Sequence, residues 1–306
     1  MIYAVLFAGQ GTQHPGMLPW LEREPACAPA LQCLVNAVGR DWRAQLEDAS
    51  TRSRNTYAQP LIVGTALAAW AALAAQLPEP PVALAGYSVG ELAAYACAGV
   101  LPDAVAIALA LQRAALMDTA VAGLQTGLLS VSGLRAEQVL QAHTELECAI
   151  ALGAEQGIYA GELAALNACT ADLAAQGAVC KLLEVRVASH ARWMASAAQG
   201  FAAQLEPIAF ARPRAALVPN ASGASTRDPH TLRHALSAQI ATTVQWAASM
   251  DALAEQGVAC VIEVGAGSTL SKLWNQRHPT IPARSIAEFR DAAGAARWLQ
   301  RASDKG

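Results

Sequence analysis

Residues 81–99 read PVALAGYSVGELAAYACAG. A short apolar run, Pro81 to Ala85, leads into Gly86-Tyr87-Ser88-Val89-Gly90. An alanine-rich helical pattern then runs from Glu91 to Ala98 and stops at Gly99. Apolar strand, Gly-x-Ser-x-Gly and helix, in that order, are the context of a nucleophile elbow. The two glycines let the backbone turn sharply without a Cβ clash. Such a turn lifts the Ser88 hydroxyl out of the sheet, and the following helix offers N-terminal amide N–H groups to an oxyanion. A glycine-rich turn with an incidental serine carries the same five letters, so the flanks decide for the elbow.

Outward from the elbow the pattern alternates. Tyr3–Phe7 reads as a strand ending at Gly9-Gln10-Gly11. Helical patterns cover Ala28–Val38, Gln59–Gln76 (entered through Pro60) and Asp103–Asp118. Alternating β and α argues for a parallel sheet covered on both faces. After residue 119 the rhythm changes. Strand Gly127–Gly133, helix Arg135–His143, strands Cys148–Leu152 and Gly157–Ala160, helix Glu162–Gln176 and strand Val179–Val187 follow one another. That order, βαββαβ, is the ferredoxin-like split unit. The main body resumes with a helix after His190, a strand near Ala215–Val218, helical patterns at Thr231–Gln239 and Val244–Gln256, strand Val258–Val264 and a helix after Ser268. Ser303–Gly306 read as a frayed end. The expected fold is α/β: an α/β-hydrolase-like core from residues 1–121 and 189–306, with a ferredoxin-like subdomain, residues 122–188, inserted into it.

The 306 residues are 54% hydrophobic and 15% charged, which excludes a disordered chain and allows a large core. A net charge of −3 gives no general attraction to nucleic acid or to an anionic membrane. The start, MIYAVLFAGQGTQ, has no basic region or cleavage pattern of a signal peptide, and Leu61–Leu77 is short for a membrane span. The seven cysteines are scattered and never spaced as CxxC, so neither a metal site nor a disulfide framework is expected. These features predict a soluble protein in a reducing, cytoplasmic setting.

A serine needs a base to become a nucleophile at neutral pH. Of the six histidines, His14 sits in a Gly/Pro-rich loop, and His143, His230, His234 and His278 lie among polar residues. His190 differs: it follows an apolar run in VASHARWM, where a strand end meets a helix start. Position alone leaves a structural role open for it.

LFAGQGTQHPGM (6–17), GYSVGELAAYACAGV (86–100), LQRAALMD (111–118), VASHARWM (187–194), VPNASG (218–223), VQW (244–246) and EVGAGSTL (263–270) occur in this order. Together they resemble the malonyl-CoA:acyl-carrier-protein transacylase family, including polyketide synthase acyltransferase domains, from residue 3 to about 275. The resemblance implies that Ser88 accepts the acyl group and that His190 is its base. The family orients this histidine through a backbone carbonyl, expected here near Gln245. The Val89 and Gln10 N–H groups would form the oxyanion hole, and Arg113 would be the specificity residue. A guanidinium can hold a free carboxylate through two parallel hydrogen bonds, which suits malonyl and not acetyl. The substrates implied are malonyl-CoA and an acyl carrier protein, with no metal or other cofactor.

The chain departs from the family pattern at Tyr87, where His is usual, at Ala8 and Ala266, where Pro is common, and at GAEQGIYAG (153–161). A Gly-Tyr-Ser-Val-Gly elbow resembles the epsilon subunit of malonate decarboxylase, which passes malonyl to a dedicated carrier subunit. Fatty-acid or polyketide malonyl transacylases, a serine esterase and a non-catalytic carrier-docking subunit are the alternatives. An acidic carrier would meet an arginine-lined face, with Arg192, Arg277 and Arg284 as candidates.

Overall fold

The computed structural model describes residues Met1–Asp304. The first half begins with β1 (Tyr3–Phe7) and then α1 (Ala28–Val38), α2 (Trp42–Gln45), α3 (Ala49–Ser53) and α4 (Asn55–Ala74). The elbow follows as β2 (Ala83–Gly86) and α5 (Gly90–Cys97), then α6 (Asp103–Ala120). A second unit runs β3 (Thr126–Ser132), α7 (Ala136–Ala142), β4 (Glu147–Gly153), β5 (Gln156–Glu162), α8 (Leu163–Ala175) and β6 (Val179–Leu182). The chain returns through α9 (Ala195–Leu205), β7 (Ala216–Leu217), α10 (Pro229–Ala238), α11 (Trp246–Ala254), β8 (Cys260–Val264), α12 (Thr269–Arg277), β9 (Ala283–Ser285) and α13 (Ala292–Ser303).

Five strands form one sheet in the order β7-β2-β1-β8-β9, and every pairing in it is parallel. Strands β1, β2 and β8 are buried along their whole length, as unbroken apolar runs in a doubly covered sheet should be. One face packs on α4, α5, α6 and α9 through residues such as Val5, Leu84 and Ile262. The other packs on α11 and α12 through Leu6, Trp246 and Trp274. The remaining four strands form an antiparallel sheet in the order β4-β5-β3-β6. The α/β expectation, with a parallel sheet and a small βαββαβ sheet, therefore holds.

The antiparallel sheet is tied to the main body through β4 and the segment between α10 and α11. Ala149 O accepts from Val244 N–H, and Val244 O accepts from Ala151 N–H, each at 2.9 Å. β6 ends at Leu182 instead of running to Val187: only Leu183 makes one further bond, to Leu128 O, before the chain leaves for His190. α4 begins five residues ahead of Pro60, so the proline lies inside the helix. This helix is long and apolar enough to cross a membrane, yet 83% of its apolar window is buried inside the protein. α13 runs to Ser303, where fraying was expected; Lys305 and Gly306 lie outside the described residues.

Candidate active site

The elbow is built from its glycines and an asparagine. A Cβ on Gly86 would stand 2.1 Å from Gly90 C, and one on Gly90 would stand 2.5 Å from Phe7 O. No larger residue fits where α5 starts against the strand ends. Between them Ser88 takes a left-handed φ of 54°. Non-glycine residues there cost on the order of 1–3 kcal/mol and persist only where surroundings over-determine them. Asn220 supplies that determination: its Oδ1 accepts from Ser88 N–H at 2.8 Å and its Nδ2 donates to Gly86 O at 2.6 Å.

His190 also has a positive φ, 63°, and is 2% exposed. Its Nε2 lies 2.8 Å from Ser88 Oγ. Its Nδ1 lies 2.5 Å from the Gln239 carbonyl oxygen. A carbonyl only accepts, so Nδ1 carries the proton and Nε2 presents its lone pair to the Ser88 hydroxyl. Burial first, and then the charge of Arg113, pull the His190 pKa from 6.5 down to about 3, against the bond to Gln239. The imidazole is therefore neutral at pH 7 and able to accept a proton.

The orienting carbonyl belongs to Gln239 and not to Gln245. Gln245 precedes α11, and its own carbonyl accepts the Ser249 N–H at 2.8 Å as the first bond of that helix. It is thereby occupied, whereas residues 239–240 form the turn after α10 and face the imidazole.

Arg113 projects from α6 and is 1% exposed. Its Nη1 donates to Gln59 Oε1 at 2.8 Å, and its Nη2 lies 3.4 Å from both Gln239 Oε1 and Ser88 Oγ. Its Nε has no partner, and among the described residues no carboxylate forms an ion pair with it. Burial lowers its pKa to about 10, with Glu91 opposing, so the charge survives at neutral pH. A buried cation held only by neutral amides and a hydroxyl is poised for an anion.

These groups open into a cleft of about 580 Å³ between the two sheets. Gln10, Ser88, Val89, Arg113 and His190 line it from the parallel-sheet side, and Leu128, Ile150, Ile158 and Lys181 from the antiparallel side. Among the described residues, the Gln10 and Val89 N–H groups have no hydrogen-bond partner, which leaves both free for an oxyanion. Of the histidines only His190 lines this cleft. Arg192 pairs with Glu147, Arg277 with Asp251 and Arg284 with Glu288, and none of the three lines the cleft.

Sequence reading missed Gln59, Gln239, Asn220 and Glu91. Asn220 and Glu91 sit inside the quoted motifs; Gln239 carries no local signal. Glu91 is 1% exposed, and its Oε1 accepts from Asn220 N–H at 3.2 Å while its Oε2 has no partner. Burial raises its pKa to about 8, so it is mostly a neutral carboxyl at pH 7.

These shifts make opposite contributions to stability. The folded chain binds an extra proton at Glu91 between about 4.5 and 8, so that contribution is lost as pH rises through this window. The unfolded chain binds the extra proton at His190 between about 3 and 6.5, so that contribution is lost as pH falls. Glu91→Gln keeps an acceptor for Asn220 and removes the proton. Thermal midpoints measured from pH 6.5 to 8 should decline less steeply in this variant than in the parent. Parallel curves would contradict the buried neutral carboxyl.

An elbow serine within proton-transfer distance of a neutral imidazole, beside free amide donors, defines an acyl-transferring enzyme of the serine–histidine kind. Residues 4–295 match the acyl transferase domain family. The chain belongs to that family. A malonyl CoA-acyl carrier protein transacylase of Mycobacterium bovis is 36% identical over 92% of this chain and 95% of its own. The structure of FabD from Acinetobacter baumannii superposes with a TM-score of 0.90 at 29% identity, covering 98% of each chain. A malonyl-transacylase solved with its type II polyketide acyl-carrier protein gives a TM-score of 0.90 at 28% identity, covering 100% of each.

Proposed function

We propose that the protein is a malonyl-CoA:acyl-carrier-protein transacylase that works through a malonyl ester on Ser88. The observation that carries this reading is Arg113, a buried guanidinium without a carboxylate partner, 3.4 Å from the Ser88 hydroxyl. His190 takes the Ser88 proton as Oγ attacks the thioester carbonyl, and the Gln10 and Val89 N–H groups receive the developing oxyanion. The C–S bond breaks, and CoA leaves as a thiol with the proton from His190. The carrier's thiol then gives its proton to His190 and attacks the serine ester, which restores the Ser88 hydroxyl. Arg113 holds the distal carboxylate throughout.

In this reading residues 1–121 and 189–306 form the catalytic core, residues 122–188 form a subdomain roofing the cleft, and the reaction belongs to the cytoplasm. The names of the relatives support an acyl carrier protein of fatty-acid or polyketide synthesis as acceptor. A second reading, the carrier subunit of malonate decarboxylase, rests on Tyr87 within the Gly86–Gly90 elbow. Tyr87 packs edge-on against Trp246 with ring centroids 5.0 Å apart and lines the cleft.

The test is transfer. Protein incubated with malonyl-CoA should gain a malonyl adduct on the peptide bearing Ser88, and a carrier with a free prosthetic thiol should discharge it. No adduct, or one lost only to water, would overturn the reading. Side-by-side discharge by an acyl carrier protein and by a malonate decarboxylase carrier separates the two acceptors.

A further inference from the structure

The oxyanion arm is held by side chains and not by a backbone ladder. Ala8 N–H still donates to Val264 O at 3.1 Å, but among the described residues 9–13 take part in no backbone–backbone hydrogen bond. Gly11 there has a φ of 114° and is exposed. The placement of the Gln10 N–H therefore depends on what ties this loop down. Gln10 Nε2 donates to Asn55 Oδ1 at 3.0 Å, and Asn55 Nδ2 donates to Asp118 Oδ1 at 2.6 Å. Asn55 is 7% exposed and opens α4; Asp118 stands on α6, five residues beyond Arg113. A second tie, Gln13 Nε2 to Arg52 O at 3.0 Å, reaches the chain just before α4.

We propose that Asn55 and Asp118 are positioning residues: they hold the Gln10 main chain so that its N–H faces the oxyanion. One helix, α6, then fixes both the carboxylate-binding cation and, through Asn55, one oxyanion donor. The distance between these two recognition points is thereby set by a rigid element. This inference rests on the transacylase reading for its substrate, but not for its geometry. An amide–amide and an amide–carboxylate hydrogen bond of modest strength matter here because small displacements of an oxyanion donor weaken the electrostatic stabilisation of the transition state steeply.

The experiment measures acylation of Ser88 in single turnover with two probes, malonyl-CoA and p-nitrophenyl acetate. The second needs the oxyanion hole but no carboxylate site. Gln10→Ala keeps its main-chain N–H and loses the tether. Gln10→Ala and Asn55→Ala should each slow the maximal rate with both probes about tenfold, less than the ~10²–10³ of deleting a donor outright. The malonyl-CoA concentration at half-maximal rate should stay within about twofold. The double variant should be no slower than either single one, because both cut one chain of contacts, whereas unrelated structural damage would add. Asp118→Ala should slow acylation, and Asp118→Asn, whose amide oxygen still accepts from Asn55, should restore it. If Asn55→Ala does not fold, the partly buried Asp118 pair carries the test.

Wild-type rates in the single variants, additive losses in the double variant, or weaker binding at an unchanged maximal rate would each overturn the proposal. Failure of malonyl-CoA with intact reaction of p-nitrophenyl acetate would sink the transacylase reading alone. The tether would still be read by the ester.

Discussion

Ser88→Ala should give a folded protein that takes no malonyl group, with transfer to a carrier reduced by roughly 10⁶-fold. The hydroxyl has two neighbours, His190 Nε2 at 2.8 Å and Arg113 Nη2 at 3.4 Å. Neither depends on it for its place: His190 keeps the Gln239 carbonyl on its other nitrogen, and Arg113 keeps Gln59. The elbow itself is fixed by Gly86, Gly90 and the Asn220 clamp on the Ser88 main chain, which alanine retains. The thermal midpoint should therefore hardly move while the covalent intermediate disappears. Intact-mass measurement after exposure to malonyl-CoA reads this directly. A malonyl adduct persisting on the variant would assign the nucleophile elsewhere and break the mechanism at its first step. A variant that loses the adduct but still transfers malonyl would exclude the ester intermediate.

What the amino-acid order made legible is local chemistry. The elbow could be read because Gly86 answers to Gly90 and Glu91, at most five residues on, and a strand and a helix flank the turn; the packing of Gly90 on the distant Phe7 was not legible. The convergence of Ser88, His190 and Arg113 on one cleft was legible because each sits in a motif of fixed wording. The histidine-orienting group was misplaced by six residues for a physical reason. Every residue offers an identical backbone carbonyl, so only the turn between α10 and α11 decides that Gln239 faces the imidazole while Gln245 starts a helix. The arginines illustrate the same limit. Arg192 and Arg277 found Glu147 and Asp251, partners far away in sequence, and so sit in surface ion pairs that their own motifs do not announce. β6 stopped at Leu182 because the chain must leave the sheet to reach position 190, a demand of topology that an apolar pattern through Val187 does not express. The short β9 and the α2 and α3 turns carry too few residues for any period to emerge.

Arg113→Ala should change which acyl group is accepted. A bound malonyl carboxylate, two carbon–carbon bonds from the reacting carbonyl, meets the guanidinium that already reaches to 3.4 Å from Ser88 Oγ. Removing that cation leaves the carboxylate buried without a partner, a loss of about 2–5 kcal/mol, or roughly 30- to 5,000-fold in malonyl transfer. Acetyl has the opposite ledger. In the parent it leaves Arg113 buried, charged and unpaired, which costs free energy in every acetyl complex; in the variant that penalty is gone. Acetyl transfer should hold or rise, and the malonyl-to-acetyl ratio of kcat/KM should collapse by the full factor. Arg113→Lys should recover only part of it. An ammonium restores the charge but not the planar fork, and it cannot donate to Gln59 and to a carboxylate in the same geometry. Gln59 and Gln239 lose a donor in the alanine variant, so a uniform structural loss is the competing account. It predicts equal falls for both acyl groups, and that outcome would remove Arg113 from the carboxylate site.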